Sequence, residues 1–373
     1  MHIPDFKIER YFTRWEFNAP YLLCSSDVDG YRMDELLALA DDEGRALWQN
    51  LSLGYTESRG HPLLRAEIAR LYQDVAADEI MTFAGGEEAI FILMNVLLKP
   101  GDHALVTWPA YQSLYSIAQA LQADVTLLPL ESANNWELDL DEVRRALRPN
   151  TRLIVVNYPH NPTGAQLDRA TFMALNQIAE ECGAYLFSDE SYRLLEYTSS
   201  DRLPSGVECS AKGIALSVMS KTFALAGLRI GWLATHDTDL LQRALAFKEY
   251  ISICNSAPSE ILALIALRAK EKVLARSLGI IQSNLPLLDH FFNEWSDVFE
   301  WVRPRAGSIA FPRLRAEVPI EQFASQLVEQ EGVLLLPGAV YDHPGNHFRI
   351  GFGRKNMPEA LTRLERFVAK HMW

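Results

Sequence analysis

The sequence predicts an α/β protein with two parts: a large domain on a mainly parallel seven-stranded sheet, and a smaller α+β domain. Through residues 80–234, short apolar runs alternate with amphipathic stretches. Several of these runs are apolar throughout, as in strands that are buried on both faces of a sheet. After about His236, helical periodicity dominates and strand-like runs become few. The 373 residues suffice for two domains of average size.

The first block contains candidate strands separated by helical segments, a pattern typical of parallel βαβ units. The predicted strands are Met81–Ala84, Ala104–Thr107, Val125–Leu130, Leu153–Asn157, Tyr185–Ser188, Ile214–Val218 and Arg229–Ala234. The predicted helices are Pro62–Tyr72, Glu88–Leu97, Tyr111–Leu121, Leu140–Leu147 and Arg169–Glu181. We therefore place the large domain at residues 46–275.

The second block predicts a small C-terminal domain at residues 276–373. A long helix, Lys272–Trp295, joins it to the large domain. The remaining predicted elements are the strands Ser308–Phe311, Val333–Leu336 and Phe348–Phe352 and the helix Pro358–Lys370. Residues 1–45 do not fit the alternating pattern, so we expect them to form an N-terminal arm or part of the small domain.

The composition argues against several partners. The chain has 35 Lys and Arg against 48 Asp and Glu, a net charge of −13, whereas nonspecific binding to nucleic acid or anionic membranes needs a positive surface. The start lacks the apolar segment of a secretory signal, and the longest apolar stretch, near residues 261–267, is too short to span a bilayer. Four widely spaced cysteines indicate neither a zinc site nor a disulfide framework. We expect a cytoplasmic protein without metal, nucleic acid or membrane.

Four polar motifs each follow a predicted strand. They are GGEEAI at 85–90, HNPTG at 160–164, SDESY at 188–192 and SKTFALAGLRIGW at 220–232. Ligands of open α/β sheets bind at the carboxyl ends of the strands, where such loops begin. We therefore expect the four loops to face one cleft.

Lys221 lies in a loop rich in Ser, Thr and Gly that follows an apolar strand, so its amine could face the cleft. A lysine amine can form an imine with an aldehyde cofactor and later act as a base. Eight residues further on, Arg229 could bind a phosphate with its planar guanidinium. Taken alone, Lys221 could equally be a solvated loop residue, and Arg229 part of a surface ion pair.

Asp189 ends an apolar strand, where a buried carboxylate requires a partner. A carboxylate there can pair with a pyridinium nitrogen and keep a cofactor ring protonated, or it can cap a following helix. In extended backbone Glu190 points to the opposite side, and we expect it to be structural. Tyr192 returns to the side of Asp189, where its hydroxyl could donate to a phenolate oxygen.

The two earlier loops give weaker signals. Asn161, in a turn-forming Asn-Pro-Thr-Gly, could hydrogen-bond the same phenolate oxygen. Gly85 and Gly86 precede a predicted helix whose N-terminal N–H groups could bind phosphate, although many strand–helix turns contain Gly-Gly. Tyr111 could stack on an aromatic ring or pack in the core.

In this order the motifs resemble those of the fold-type I pyridoxal-phosphate (PLP) enzymes, class I/II aminotransferases of the aspartate-aminotransferase kind. The resemblance covers about residues 51–353 and rests on the combination of HNPTG, DESY and SKTFALAGLRIGW, which is highly specific. It implies the PLP-dependent transferase fold and PLP as cofactor. It also implies transfer of an amino group between an L-amino acid and a 2-keto acid through a Schiff base on Lys221.

The resemblance assigns further roles residue by residue. Lys221 would shuttle protons, and Asp189 would pair with the pyridine nitrogen. Asn161 and Tyr192 would contact the phenolate oxygen, and Tyr111 would stack on the ring. The implied phosphate ligands are the backbone of Gly85, Gly86 and Glu87 and the guanidinium of Arg229.

Two matches lie outside these motifs. Arg349, in HFRIGFGR, matches the small-domain arginine that grips the substrate α-carboxylate bidentately, and Asn161 lies on the same substrate side. Tyr55, in LGYTESRG, matches a tyrosine that reaches across a dimer interface to the phosphate of the neighbouring cofactor. The resemblance therefore implies a homodimer with shared active sites.

Two departures leave the type of reaction open. Where many relatives have a phosphate-binding serine, this chain has Val218, and Ser220 or Ser217 could supply the contact. Glu87 stands where others have Ser or Thr, so only its backbone N–H is an expected ligand. With LGYTESRG, these features resemble a branch that includes capreomycidine synthase and PLP-dependent arginine oxidases. The alternative to transamination is therefore a PLP-dependent lyase, a cyclising synthase or an arginine-oxidase-type enzyme.

Two other classes have less support. A cofactor-binding regulator is disfavoured because no DNA-binding extension precedes the motifs and the net charge is negative. A nicotinamide enzyme is disfavoured because no G-x-G-x-x-G turn follows a first strand.

For specificity, the acidic residues Glu16, Asp27 and Asp29 could meet a basic substrate. Trp15 or Tyr21 could meet an apolar one. Each of these five could equally be a surface or packing residue.

Overall fold

The computed structural model describes residues 2–371, and within that range its centre is a seven-stranded sheet. The strands are β1 (Ile80–Phe83), β2 (His103–Trp108), β3 (Asp124–Pro129), β4 (Thr151–Asn157), β5 (Tyr185–Asp189), β6 (Gly213–Val218) and β7 (Gly231–Ala234). Their order is β1-β7-β6-β5-β4-β2-β3. β2 to β6 pair in parallel, whereas β7 runs antiparallel to both of its neighbours. The predicted mainly parallel sheet is confirmed.

Helices cover both faces of this sheet. Those before the small domain are α1 (Lys7–Trp15), α2 (Met33–Leu37), α3 (Asp42–Gln49), α4 (Pro62–Ala69), α5 (Gly86–Leu97), α6 (Ser113–Ala120), α7 (Leu140–Ala146), α8 (Arg169–Glu181), α9 (Thr238–Lys248) and α10 (Ala257–Arg268). Val155 of β4 packs with α5, α6 and α9, and its neighbours Ile154 and Val156 pack with α8. Alternate side chains therefore enter different cores, which explains why the central strands are apolar throughout.

Two predicted boundaries illustrate the local physics. The helix predicted at Arg169–Glu181 has those bounds, because Asp168 caps it by accepting a hydrogen bond from the Thr171 N–H at 2.8 Å. The strand predicted to start at Arg229 starts at Gly231, because Arg229 has a left-handed backbone with φ +52°.

The C-terminal part is an α+β layer. Its elements are the helices α11 (Lys270–Glu294), α12 (Ile320–Glu331) and α13 (Met357–His371) and the strands β8 (Phe299–Glu300), β9 (Ile309–Ala310), β10 (Arg313–Leu314), β11 (Leu336–Pro337) and β12 (Phe348–Gly351). The three helices share one apolar core through Leu288, Phe323 and Leu364. α11 runs across the proposed boundary at residue 275, and the domain bounds stay predictions.

The N-terminal arm touches both parts of the protein. The backbone N–H of Lys7 donates to Gln112 Oε1 at 2.9 Å, ahead of α6. On the other side, the Tyr11 hydroxyl donates to the Leu335 carbonyl at 2.8 Å, ahead of β11. Among residues 2–371, none of the helices combines the length and the apolarity that a membrane span requires.

Candidate active site

A cavity of about 580 Å³ lies at the carboxyl ends of β4, β5 and β6. Its lining includes most of the predicted site residues: Gly86, Glu87, Tyr111, Asn161, Asp189, Tyr192, Ser220, Lys221, Arg229 and Arg349. Lys221 and Arg349 are 128 residues apart in sequence, yet the fold brings them to one space. The expectation that the motif loops face one cleft agrees with this geometry.

One end of the cavity suits an anion. Gly85 has φ +86°, a conformation that favours glycine, and turns the chain from β1 into α5. A Cβ on Gly85 would overlap the Arg229 guanidinium, so Arg229 lies directly against this turn. Val218 packs beside it, 3.0 Å from where a Cβ on Gly86 would be. The free N–H groups at the start of α5 and the Arg229 charge together form a cradle that fits a phosphate.

Asp189 is a buried carboxylate that is hydrogen-bonded by Ser191. It is 6% exposed, and its Oδ1 accepts hydrogen bonds from the Ser191 N–H at 3.1 Å and the Ser191 hydroxyl at 2.6 Å. Burial raises its pKa, opposed by these bonds and by the charge of Lys221. Among residues 2–371 it forms no ion pair, so a protonated ring nitrogen would supply the missing partner.

Lys221 presents its amine to the same cavity. Its Nζ donates to the Ser26 hydroxyl at 2.8 Å. Burial is the main cause that lowers its pKa, and Arg349 adds to this, whereas Asp27 and Asp189 oppose it. A lysine whose pKa is lowered has more of the neutral amine that attacks an aldehyde or removes a proton.

One side of the Arg349 guanidinium is hydrogen-bonded, and the other side has no hydrogen-bond partner within residues 2–371. It is 2% exposed; its Nε donates to the Cys24 carbonyl at 3.1 Å and its Nη1 to the Tyr341 hydroxyl at 2.6 Å. Its Nη2 is buried with no partner within the described chain. A carboxylate in the cavity would satisfy this nitrogen.

Asn161 is fixed by the same group. Its Oδ1 accepts from the Tyr341 hydroxyl at 3.1 Å and lies 3.4 Å from Arg349 Nη1. Its backbone N–H donates to Asn157 Oδ1 at 2.8 Å. Because the side-chain oxygen is used in this way, the Nδ2 donor remains for the cavity that Asn161 lines.

The aromatic side chains reach the cavity but have protein partners of their own. The Tyr192 hydroxyl donates to the Ser26 carbonyl at 3.0 Å. The Tyr111 ring lies against Phe6, with centroids 5.1 Å apart, and its hydroxyl bonds to the Glu87 carboxyl. Burial raises the pKa of Glu87. The predicted cofactor contacts of Tyr192, Tyr111 and Glu87 stay predictions.

Tyr55 does not reach this cavity. Its side chain is 89% exposed and borders a separate surface cavity with Leu53 and residues 254–258. A role at the cofactor phosphate therefore requires a second subunit, as the sequence implied, and stays a prediction.

Several residues that line or support the cavity were not predicted from the sequence. Glu9 and Phe12 line it from one face of α1, three residues apart, a spacing that a helical wheel would have revealed. Ser26 and Tyr341 carried no such signal, because their contacts depend on tertiary packing. Of the specificity residues considered above, Glu16 and Asp27 line the cavity. Asp29, Trp15 and Tyr21 lie outside its lining.

The site as a whole fits PLP. It combines a phosphate cradle at Gly85 and Arg229, a buried carboxylate at Asp189 and an amine at Lys221. These are the three groups that would meet the phosphate, the ring nitrogen and the aldehyde of that cofactor.

Comparisons with known proteins agree with this assignment. The model of the family "Aminotransferase class I and II" matches residues 21–364. The chain is 28% identical to capreomycidine synthase of Streptomyces vinaceus over 372 residues, 99% of this chain and 95% of that protein. A PLP-dependent aminotransferase from Streptococcus suis has a similar structure, with TM-score 0.93, 32% identity and 99% of both chains covered. The PLP-dependent cyclase OrfR has TM-score 0.91 and 26% identity, with 100% of this chain and 98% of that chain covered.

The predicted family resemblance and the predicted fold are therefore confirmed. The match covers most of the chain, and the structural neighbours are PLP-dependent enzymes. This protein belongs to the aminotransferase class I and II family and is an enzyme of the PLP-dependent kind.

Proposed function

We propose that this protein is a PLP-dependent aminotransferase that moves the amino group of an L-amino acid to a 2-keto acid. The observation that carries the proposal is the convergence of Lys221, Asp189 and Arg349 on one cavity. An amine, a buried carboxylate and a half-free guanidinium are the groups that such a reaction requires.

Different residues of the cavity would bind different parts of the cofactor. Lys221 would hold the cofactor through its amine, Arg229 and the start of α5 its phosphate, and Asp189 its ring nitrogen. Asn161 and Tyr192 would donate to its phenolate oxygen, and Tyr111 would stack on its ring, with Ser220 near the phosphate. When bound, PLP supplies an electron-withdrawing ring that stabilises negative charge at the substrate Cα.

The protein groups would then bind the substrate and move its proton. Nη2 of Arg349 binds the α-carboxylate, which orients the Cα–H bond in the cavity. The neutral Nζ of Lys221 removes the proton from Cα and holds it as an ammonium. Asp189 would keep its negative charge if a protonated ring nitrogen took the place of the water that burial removed.

The wall formed by α1 favours a donor with a cationic side chain. Glu9 and Glu16 both line the cavity, and within residues 2–371 neither forms an ion pair, whereas Asp27 is paired with Arg354 at 2.9 Å. The pKa of Glu16 is raised first by burial and then by repulsion from Glu9. A positive group between these carboxylates would relieve that repulsion. We therefore expect basic amino acids to be better donors than acidic ones.

A second candidate is a cyclising, eliminating or oxidising reaction on the same cofactor. The observation that favours it is the similarity of nearly the whole chain to capreomycidine synthase and to a PLP-dependent cyclase. The synthase and cyclase activities in these names belong to those two proteins. The first steps of both candidates use Lys221 in the same way, so only the products distinguish them.

We also propose a homodimer in the cytoplasm. Leu53, Tyr55 and Tyr250 are 84%, 89% and 94% exposed, which is unusual for apolar side chains of this size and would be relieved by a second subunit. All four cysteines are free, as expected for a reducing compartment.

The test is a screen of amino donors on the purified protein with PLP. We expect basic L-amino acids to bleach the visible absorption of the cofactor, and an added 2-keto acid to restore it with formation of one amino acid per keto acid consumed. Release of ammonia or hydrogen peroxide without a keto acid would instead support the second candidate.

The role of Lys221 has a direct control. In Lys221→Ala, borohydride should trap no cofactor on the protein and turnover should be lost. Lys212→Ala, which removes an exposed lysine bound to the Gly183 carbonyl, should behave as wild type. An adduct trapped on another lysine would contradict the proposal.

A further inference from the structure

We infer that Ser26 is a positioning residue, whose hydroxyl binds the free amine of Lys221 and fixes its position for proton transfer. The inference rests on the proposed function of Lys221. Ser26 lies 195 residues from Lys221 in sequence, and no motif marks it.

The geometry is direct. Lys221 Nζ lies 2.8 Å from Ser26 Oγ, and within residues 2–371 this is the hydrogen bond that the amine makes. Both residues line the cavity. The contact is therefore made on the side where a substrate would lie.

Ser26 is itself held in place. Its carbonyl accepts a hydrogen bond from the Ser308 hydroxyl at 2.9 Å. The Tyr192 hydroxyl also donates to this carbonyl, at 3.0 Å, but its one proton would turn to the phenolate oxygen in the proposed complex. The next residue, Asp27, is bound by Arg354 through both carboxylate oxygens at 2.9 and 3.0 Å. These bonds fix the backbone from which the hydroxyl projects, so the amine that it binds is also positioned.

A lysine that has left the cofactor needs such a partner. Its four-carbon stem has many rotamers, and fixing one of them costs conformational entropy. A serine hydroxyl can accept from an ammonium N–H and can donate to the lone pair of a neutral amine, so it can bind Nζ before and after the amine takes the Cα proton. No bond to Ser26 is formed or broken; only its hydrogen-bond direction changes.

The charges around Nζ oppose one another. Burial, Arg349 and Arg229 favour the neutral amine, whereas Asp27 and Asp189 favour the ammonium. Glu16 also faces this group. Because these influences on the pKa of Lys221 partly cancel, the loss of its hydrogen bond to Ser26 should change that pKa measurably.

Three variants separate the possibilities. Ser26→Ala removes the hydroxyl, and Ser26→Thr keeps it. Ser283→Ala is the control, because it removes an exposed serine hydroxyl of α11 that donates to the Gly279 carbonyl at 2.7 Å and lies outside the cavity lining.

In steady-state assays with a donor found in the screen, we expect Ser26→Ala to lower kcat about tenfold and to change KM less than twofold, about the effect of one hydrogen bond made to the reacting group. The isotope effect with an α-deuterated donor should increase, because proton transfer becomes slower. Ser26→Thr should recover most of kcat, and Ser283→Ala should match wild type.

A second readout does not depend on turnover. Full-length protein stripped of cofactor is mixed with PLP, and the rise of visible absorption is followed from pH 6 to 10. The midpoint of this profile reports the pKa of Lys221, which we expect to fall by about one unit in Ser26→Ala, because the ammonium loses its acceptor.

The outcomes are distinguishable. If Ser26→Ala matches Ser283→Ala in kcat, isotope effect and capture profile, the inference is wrong. A change confined to KM or to the unfolding temperature would also overturn it, since a purely structural serine behaves in that way. If wild-type protein captures no PLP at Lys221, the proposed function fails instead.

Discussion

Tyr341 bridges two residues of the candidate site through a single hydroxyl, and Tyr341→Phe removes that hydroxyl while keeping the ring. The hydroxyl accepts from Arg349 at 2.6 Å and donates to Asn161 at 3.1 Å, and the residue is 1% exposed. The ring packs edge-on against Phe311, a contact that phenylalanine can keep. The variant therefore tests the hydrogen bonds rather than the packing.

The structure sets the expected size of the effect. A hydrogen bond to a charged group contributes about 2 kcal/mol, which corresponds to roughly a thirtyfold change in an equilibrium constant. Arg349 would keep its bond to the Cys24 carbonyl, but its Nη1 would retain only Asn161 at 3.4 Å. The guanidinium would no longer be fixed toward the substrate carboxylate. We expect KM for the amino donor to rise about thirtyfold while kcat falls less than threefold.

The assay is steady-state kinetics with a donor found in the screen, together with thermal unfolding. Tyr115→Phe is the control, because Tyr115 is also a buried tyrosine. Its hydroxyl donates to Asp342 Oδ2 at 3.1 Å and not to Asn161 or Arg349. An unchanged KM in Tyr341→Phe, or an equal increase in Tyr115→Phe, would refute the reasoning.

Three further predictions follow. Asp189→Asn should lower kcat at least a hundredfold without lowering the unfolding temperature of the cofactor-free protein, because burial already disfavours this charge; an unchanged kcat would contradict its role. Gly85→Ala should raise the Kd for PLP at least tenfold in fluorescence titrations, because its Cβ would overlap Arg229, whereas Gly101→Ala, at a positive φ but in open space, should bind PLP normally. Burial lowers the pKa of His347 from 6.5 to about 4. As the pH falls, His347 therefore takes up a proton in the unfolded chain before it does so in the folded protein, and the free energy of unfolding decreases between about pH 6.5 and 4. His347→Phe should therefore lose less unfolding temperature between pH 7 and 5 than wild type, and an equal loss would contradict this assignment.

Much of the fold could be predicted because the signals are local. The run predicted as a strand at Tyr185–Ser188 forms β5 (Tyr185–Asp189), whose residues are all buried, and the cap at Asp168 sets the start of α8. The order of motifs along the chain was also informative, since each follows a strand of one sheet. This explains why Asn161, Asp189 and Lys221 were expected together and lie together.

The remaining features depend on contacts that no local pattern encodes. The position of α1 over the cavity follows from bonds such as Tyr11 to Leu335, more than 300 residues apart. Ser26 and Tyr341 acquire their partners only when the arm and the C-terminal part meet the large sheet. In the sequence alone, Tyr341 stands shortly after a Pro-Gly pair and Ser26 stands next to another serine. Neither pattern marks a residue of the site.

The two walls of the cavity differ in how freely they can be redesigned. Strand ends supply the cofactor side, where a substitution disturbs the sheet as well as the chemistry. The opposite wall is one face of α1 with Glu16 directly after it, attached by hydrogen bonds such as those of Lys7 and Tyr11. Exchanging Glu9 and Phe12 is therefore the simplest route to a new substrate preference, since it leaves Lys221 and its hydrogen bond to Ser26 in place.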